Sequence, residues 1–283
     1  MLIILSVFLA APFVLLIISS FTEESTAVKY GYTFFPKMLS LDAYRYIFSN
    51  IGMFGKAFLI TICVTVTGVI VSLLISSMMA YVLSRKGIPG GRILNFFVVF
   101  TMLFNGGLVA TYLNYVQVFH IKNTYLALLI PNLLCNAFSI MMIKNYFQSS
   151  IPEELLEAAR IDGASEMKIF LKIVIPLSKP ILATVALIVG LAYWNDWQNA
   201  LLFMDSDNKK PLQLLLINIQ SSIETLLSNR NIPSAALAAM QGRVPQYSAT
   251  MATVVVVILP VMIAYPFFQK YFIKGLTIGS VKY

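Results

Sequence analysis

Residues 150–176, SIPEELLEAARIDGASEMKIFLKIVIP, form a long charged, helix-forming segment caught between apolar spans. Ser150 followed three residues later by Glu153 has the form of a capping box, and Pro152 falls in the first turn, where a missing N–H costs nothing, so a helix is predicted to start here. Gly163 is predicted to end it. A second helix is predicted over about 165–175, with Met167, Phe170, Leu171 and Val174 at helical spacing and Lys168 and Lys172 on another face. Pro176 is its predicted stop. The expected product is a helix, a glycine corner and a second helix.

Outward from this segment the chain is apolar. Of its 283 residues 59% are hydrophobic and 11% charged, against roughly a quarter charged in soluble domains, so it reads as an integral membrane protein. Nearly uncharged runs occur at 2–21, 57–83, 93–113, 124–143, 181–204 and 248–269, each long enough to cross about 30 Å of hydrocarbon as a helix. These six runs predict an all-α protein of one domain, 1–283, with both termini on one side. The first run lacks a basic leader and a small-residue cleavage site, which argues against a signal peptide. Its abrupt apolar start leads us to expect a basic segment upstream. The net charge of +8 is spread over the ends of the apolar runs, where it reads as a topology signal and not as a nucleic-acid surface. Cys63, Cys135 and the single His120 suggest neither a disulfide framework nor a metal site.

The organising segment resembles a known motif. Glu157-Ala158-Ala159, Asp162-Gly163-Ala164 and Ile173-Val174-Ile175-Pro176 are similar to the EAA motif of the membrane subunits of ATP-driven importers, with Ile175 in place of the usual Leu. The resemblance implies the type I ABC importer permease fold, with 146–179 as a cytoplasmic coupling loop that lies in a cleft of an ATPase subunit. The bland alternative is an amphipathic helix lying on lipid headgroups. With the N-terminus cytoplasmic, the inner segments carry Arg85, Lys86, Arg92, Lys144, Arg160, Lys168, Lys172, Lys179, Lys270, Lys274 and Lys282. That is 11 of the 20 basic residues against 9 outside on longer loops, a modest positive-inside bias that agrees with the motif.

Within the spans, two stretches stand out. Trp194-Asn195-Asp196-Trp197 places an ionisable group near the outer half of the fifth run, either bordering a translocation pathway or belonging to an interfacial aromatic belt. Asn105-Gly106-Gly107, followed by Tyr112, interrupts the third run, as helices that line transporter binding sites do, although close helix packing explains glycines equally well. Asn132 and Asn136 beside Pro131 are weaker candidates with the same two readings. Pro260 and Pro266 are expected to bend the sixth run.

The outer segments differ from one another. Residues 22–56 are rich in Tyr and Phe, and Ser40-Leu41-Asp42 is predicted to begin a short helix. Residues 205–247 carry a helical apolar pattern through Leu212, Leu215, Ile219 and Ile223 and then a break near Pro233, too patterned for a plain connector. Arg230 and Asn231 are the candidates for its tip. The W-N-D-W cluster and the tail from Lys274 to Lys282 resemble those of maltose-type sugar permeases, and Phe104-Asn105-Gly106-Gly107 together with this tail is similar to the subgroup that imports larger or acidic oligosaccharides.

No P-loop, G-x-S-x-G or H-E-x-x-H sequence is present, so no ATP-binding or catalytic site is expected in this chain. The resemblance implies a sugar importer, its substrate an oligosaccharide, built with a second and different permease, two ATPase subunits holding ATP and magnesium, and an extracellular solute-binding protein in a bacterial plasma membrane. The competing class is an ion-coupled secondary transporter. It would need several intramembrane ionisable groups, and Asp196 alone is a poor supply.

Overall fold

The computed structural model describes residues 2–206, 209–228 and 246–278, and the described residues are helical with only an isolated bridge between Thr22 and Leu39. In chain order come α1 (Leu2–Ser20), α2 (Glu24–Tyr30), α3 (Asp42–Ser49), α4 (Ile51–Ser84), α5 (Gly91–Leu103) and α6 (Leu108–Leu113) with a π turn after it. They are followed by α7 (Leu126–Leu129), α8 (Ala137–Ser150), α9 (Glu153–Ile161), α10 (Glu166–Ile169) and α11 (Ile175–Leu177). The last are α12 (Lys179–Trp194), α13 (Gln198–Phe203), α14 (Leu212–Ser228) and α15 (Gln246–Ile278).

The side-chain pattern of α4 shows what solvent the fold is built for. Ser72, Ser76 and Ala80, four apart on one face, are wholly buried, whereas Ile70, Leu74, Met78 and Val82, equally spaced on another, are 61, 53, 40 and 38% exposed. In water this arrangement would be inside out. In lipid the small residues let helices approach closely and the large apolar ones meet acyl chains. The protein is a multi-pass membrane protein.

Among the described residues three helices, in α1, α4 and α15, are continuous and apolar enough to cross a bilayer, and the number rises to five where each of two bent pairs is taken as one span. The run 93–113 is divided into α5 and α6, which meet at 116°. The run 124–143 is not one helix either: α7 and α8 are separated at 130–136, where Pro131 has no N–H to give and Asn132 takes a left-handed φ of 62°. The run 181–204 breaks at 195–197 between α12 and α13. Apolar length alone did not reveal these last two interruptions. The proline-containing α15 continues past both Pro260 and Pro266.

The chain divides into two compact units. One comprises residues 1–60 and 206–263. Its core gathers Ala43 and Ile47 of α3, Phe54 and Ala57 of α4, Leu212 of α14 and Ala252 and Val257 of α15. The Glu24 carboxylate accepts hydrogen bonds from the Tyr247 and Ser248 amides at 2.8 and 3.0 Å, so it caps the start of α15 from a distant point in the chain. As the sequence predicts, α3 begins at Ser40-Leu41-Asp42, with the Asp42 amide donating to Ser40 Oγ at 2.9 Å. The helical pattern from Leu212 onward is α14. The other unit comprises 61–205 and 264–283, and among its described residues it contains the charged elbow and all three helix breaks.

Candidate functional site

The elbow forms where the charged segment predicts it, with different details. Helix α9 begins at Glu153 with Pro152 in extended conformation as its N-cap, while Ser150 closes the preceding α8, so the Ser150–Glu153 capping box does not form. Gly163 takes φ 79°, and the amides of Asp162, Gly163 and Ala164 return to carbonyls of α9. Such a left-handed corner is open to glycine and strained for a branched side chain. Ser165 then caps the second leg, which passes from α10 through a π turn at Phe170–Val174 into α11. The helix therefore does not stop at Pro176 but continues to Leu177. The wide π turn lies where the proline ring would otherwise collide with the carbonyl one turn back.

Burial divides the elbow into an anchor and a face. Leu156, Ile169 and Val174 are fully buried and Phe170 nearly so, while Glu157, Ala158, Asp162 and Gly163 are exposed, Ala159 and Ala164 partly so, and Ile161 is 87% exposed.

Four side chains that the motif reading passed over tie the elbow to the end of α4. Glu166 accepts hydrogen bonds from Arg160 Nε at 2.7 Å and from the Tyr81 hydroxyl at 2.5 Å, and the Tyr81 ring lies 5.3 Å from that of Phe170. Arg85 sits over the other side of this cluster, 4.6 Å from the Tyr81 ring, and Lys86 pairs with Glu153 at 2.9 Å. The charges respond accordingly. The Arg160 bond and then the Tyr81 bond hold the Glu166 carboxyl below the usual carboxylate range. Lys86 lowers Glu153 in the same way and is itself raised, whereas burial lowers Arg85. Tyr81 and Glu166 carry no capping or motif signal in the sequence, and Arg85, Lys86, Glu153 and Arg160 carry signals of other kinds, topology for the bases and a cap for Glu153.

The three breaks are closed by side chains on main-chain atoms. At 104–107, Asn105 Oδ1 accepts from the Gly107 amide at 2.8 Å, and Gly107 adopts φ 86°, ψ 163°, a region that essentially only glycine occupies. Tyr112 stacks on Phe203 with ring centroids 5.7 Å apart. Asn195 donates back to Leu191 O at 3.0 Å. Asp196 accepts from the Asn199 amide at 3.1 Å and from Asn199 Nδ2 at 2.8 Å, the geometry of a cap on α13. Asn199 Nδ2 also donates to Pro131 O at 3.1 Å, and the Tyr193 hydroxyl donates to Leu129 O at 2.7 Å. The break in α12–α13 thus supplies the donors for carbonyls freed by the break between α7 and α8. Trp194 is buried and Trp197 is 42% exposed.

Beside these breaks lies an open cavity of about 550 Å³ whose wall includes Thr101, Tyr115, Asn132, Cys135, Asn136 and Phe138. It contains Asn132 and Asn136 but none of Asn105, Gly106, Gly107, Tyr112 or Trp194 to Trp197, which lie around it in the chain without lining it. Arg230 and Asn231 lie outside the described residues, as does the end of the tail.

Interrupted membrane helices lining a polar cavity, with a charged elbow at their end, define a transport protein and not a receptor or an anchor. The chain belongs to the family of binding-protein-dependent transport system inner membrane components, whose model matches residues 72–278. It is 40% identical over 274 residues to the polygalacturonan/rhamnogalacturonan transport system permease protein YtcP of Bacillus subtilis, covering 96% of this chain and 92% of that one. To the trehalose/maltose transport system permease protein MalG of Thermococcus litoralis it is 30% identical over 285 residues, 99% of this chain and 94% of the other. Among solved structures, a bacterial ABC transporter involved in the import of the acidic polysaccharide alginate has a chain that superposes with a TM-score of 0.81 at 32% identity, covering 96% of this chain and 93% of that one.

Proposed function

We propose that the chain is the permease subunit of an ATP-driven importer for an oligosaccharide, forming half of a pore with a different permease. The observation that supports this reading most directly is the elbow: an exposed face of Glu157, Ala158, Ile161, Asp162 and Gly163 over a buried anchor that is bonded to the end of a spanning helix. Two ATPase subunits, which hold ATP and magnesium, grip this face and its counterpart. When ATP draws them together, the elbow pulls through Glu166 and Tyr81 on α4 and tips the permease from inward-open to outward-open. ATP shifts that equilibrium only by favouring one state over the other. The elbow, and with it both termini, faces the cytoplasm. The whole chain acts as one transmembrane domain.

For the sugar we assign the cavity beside the breaks, where Tyr115 and Phe138 offer ring faces and Asn132, Asn136 and Thr101 offer hydrogen bonds. Asn105 to Gly107, Tyr112 and Trp194 to Trp197 shape this route as the supports of its broken walls. Asp196 spends its carboxylate on Asn199, which favours sugar import over ion coupling. Arg230 and Asn231 are assigned to meeting the binding protein. The test is uptake by the reconstituted complex of this permease, its partner permease, the ATPase and the binding protein, with galacturonan-derived and maltose-type oligosaccharides offered in turn. Uptake that requires ATP and binding protein and is indifferent to an uncoupler is the expected result. Uptake driven by an ion gradient without ATP would overturn the reading.

A further inference from the structure

A second open cavity, of about 810 Å³, lies where α4 gives way to α5, and its chemistry is unlike that of the sugar cavity. Four basic side chains, Arg85, Lys86, Arg92 and Lys144, line it, and no acidic residue does. Only Lys86 has a carboxylate partner, Glu153 at 2.9 Å; Lys144 is held by the neutral amide oxygen of Asn95 at 2.6 Å. Among the described residues no acid lies within ion-pair distance of Arg85, Arg92 or Lys144. Arg85 Nε and Nη2 are buried without a hydrogen-bond acceptor among those residues. A cleft lined by one sign of charge focuses the field and concentrates an ion of the other sign. The loop that lines it contains Gly87 and Gly90, both at positive φ, and Gly91, so at these three positions no side chain stands between a ligand and the backbone.

The surroundings say what kind of anion. Just beyond the basic residues on α5, Ile93, Phe96 and Phe97 are 64, 61 and 58% exposed, so an apolar wall begins within one or two turns of the charges. A free phosphate would use the cations and leave this wall idle. A phospholipid uses both, its phosphate in the cleft and its acyl chains along α5. We propose that this cleft is a binding site for the phosphate headgroup of an anionic phospholipid, such as phosphatidylglycerol, in the same leaflet as the elbow. This rests on the elbow-side orientation given above only for the leaflet. Because Arg85 and Lys86 also contact the elbow's anchor, a bound headgroup neutralises charge next to the joint between α4 and the coupling face.

The experiment is native mass spectrometry of the detergent-solubilised permease–ATPase complex titrated with phosphatidylglycerol and, separately, phosphatidylcholine. Each basic residue near an anionic lipid is worth about a factor of five in affinity. Wild type should retain phosphatidylglycerol in preference to phosphatidylcholine, and the double variant Arg92→Gln/Lys144→Gln should bind phosphatidylglycerol about 25-fold more weakly with phosphatidylcholine binding unchanged. In case the double variant is poorly folded, Asn95→Asp leaves every cation in place and puts a carboxylate beside Lys144; it should also lose the preference. Equal retention of the two lipids by wild type, or an undiminished preference in well-folded variants, would overturn the proposal. So would displacement of phosphatidylglycerol by inorganic phosphate at matched concentration, which assigns the cleft to a soluble anion. The readout needs no sugar, binding protein or nucleotide, so its failure leaves the import reading intact, and a failed uptake assay leaves this one interpretable.

Discussion

The elbow at 153–177 and the breaks at 104–107, 130–136 and 195–197 are all interruptions of helical chain, yet they are made of opposite materials. The elbow turns on a glycine at positive φ, leaves its polar face open and is anchored by ionic bonds among Glu166, Arg160, Lys86 and Glu153. The breaks use neutral amides and a phenol: Asn105 on Gly107, Tyr193 on Leu129 and Asn199 on Pro131, with one carboxylate, Asp196, serving as the cap of α13. The reason is the solvent. Water satisfies the carbonyls that an elbow frees, so its side chains remain available for a partner. In hydrocarbon every freed carbonyl needs an internal donor, and a side chain so used is no longer available for anything else.

The contrast is most easily broken at Gly163. A Cβ there meets nothing within 4 Å, so any effect of substitution comes from its φ of 79° alone. Gly163→Val forces a branched residue into the left-handed region at about 1–2 kcal/mol and redirects α9. ATP-dependent uptake should fall at least about ten-fold, and ATPase co-purification with it, while membrane insertion is unaffected. Wild-type uptake and co-purification in this variant would show that the corner does not set the coupling face.

The next test falls on the breaks. A Cβ on Gly68 of α4 would lie 2.5 Å from the Tyr193 ring, which is only 3% exposed and whose hydroxyl holds Leu129 O. Gly68→Ala therefore has to move Tyr193 and release that carbonyl, at about 1–3 kcal/mol for overpacking. A clear fall in thermal stability with the ATPase still bound is expected, the reverse of the Gly163 result. An unchanged unfolding midpoint would mean that the Tyr193 bond is dispensable.

How much of this contrast was legible in the sequence follows the same division. The elbow was legible because its signals are local: a proline, a glycine and charges within 27 residues of one another. Its anchor was not, because Tyr81 lies 85 residues from Glu166 and nothing near it marks it as a partner. The glycine pair at 106–107 announced one break. The break at 130–136 has Pro131, Asn132 and Asn136 to announce it, and they stand out as candidates, but the surrounding apolar run is long enough to span a membrane as one helix. At 195–197 the charge of Asp196 suggests a pathway or a belt in the sequence, whereas its part in a helix cap depends on Asn199, a residue with no pattern of its own. In the sequence Arg92 and Lys144 are topology signals like other basic residues; only their joint presence in one cleft distinguishes them.

Asp196 permits a finer test. If the carboxylate acts as a cap, Asp196→Asn keeps the bond from the Asn199 amide through its one amide oxygen but gives up the bond from Asn199 Nδ2, while Asp196→Ala gives up both, loses about 1 kcal/mol of capping and loosens Asn199 from Pro131. The ratio of the two variants is the measurement, taken as unfolding midpoint and as uptake across a range of sugar concentrations. Asn intermediate between wild type and Ala is expected, since it keeps one of the two bonds. Equal damage in both, with stability unchanged, would give the negative charge a role in transport and make the fifth run resemble the elbow more than the other breaks.

The smallest effect concerns the ionic anchor, and it is where the comparison is sharpened by pH. Arg160 and Tyr81 hold the Glu166 carboxyl below its ordinary range, so in the folded protein it gives up its proton more readily than in the unfolded chain. The unfolded state therefore binds more protons as the solution becomes acidic. The contribution of Glu166 is complete above the unfolded carboxylate value of about 4.3 and is lost as pH falls through the lower, folded value. Its side chain is 56% exposed and that of Arg160 is 40% exposed, so solvent screens much of the interaction and the contribution is small. The informative quantity is the difference in unfolding midpoint between wild type and Glu166→Gln, followed from pH 6 to pH 3.5. It should favour wild type at pH 6 and shrink on acidification, whereas the effect of Gly68→Ala, whose partner Tyr193 is a phenol that stays protonated over this interval, should stay constant. A Glu166 difference that is flat with pH would mean that the carboxylate serves the elbow only as a hydrogen-bond acceptor, and that the anchor is held by neutral bonds just as the breaks are.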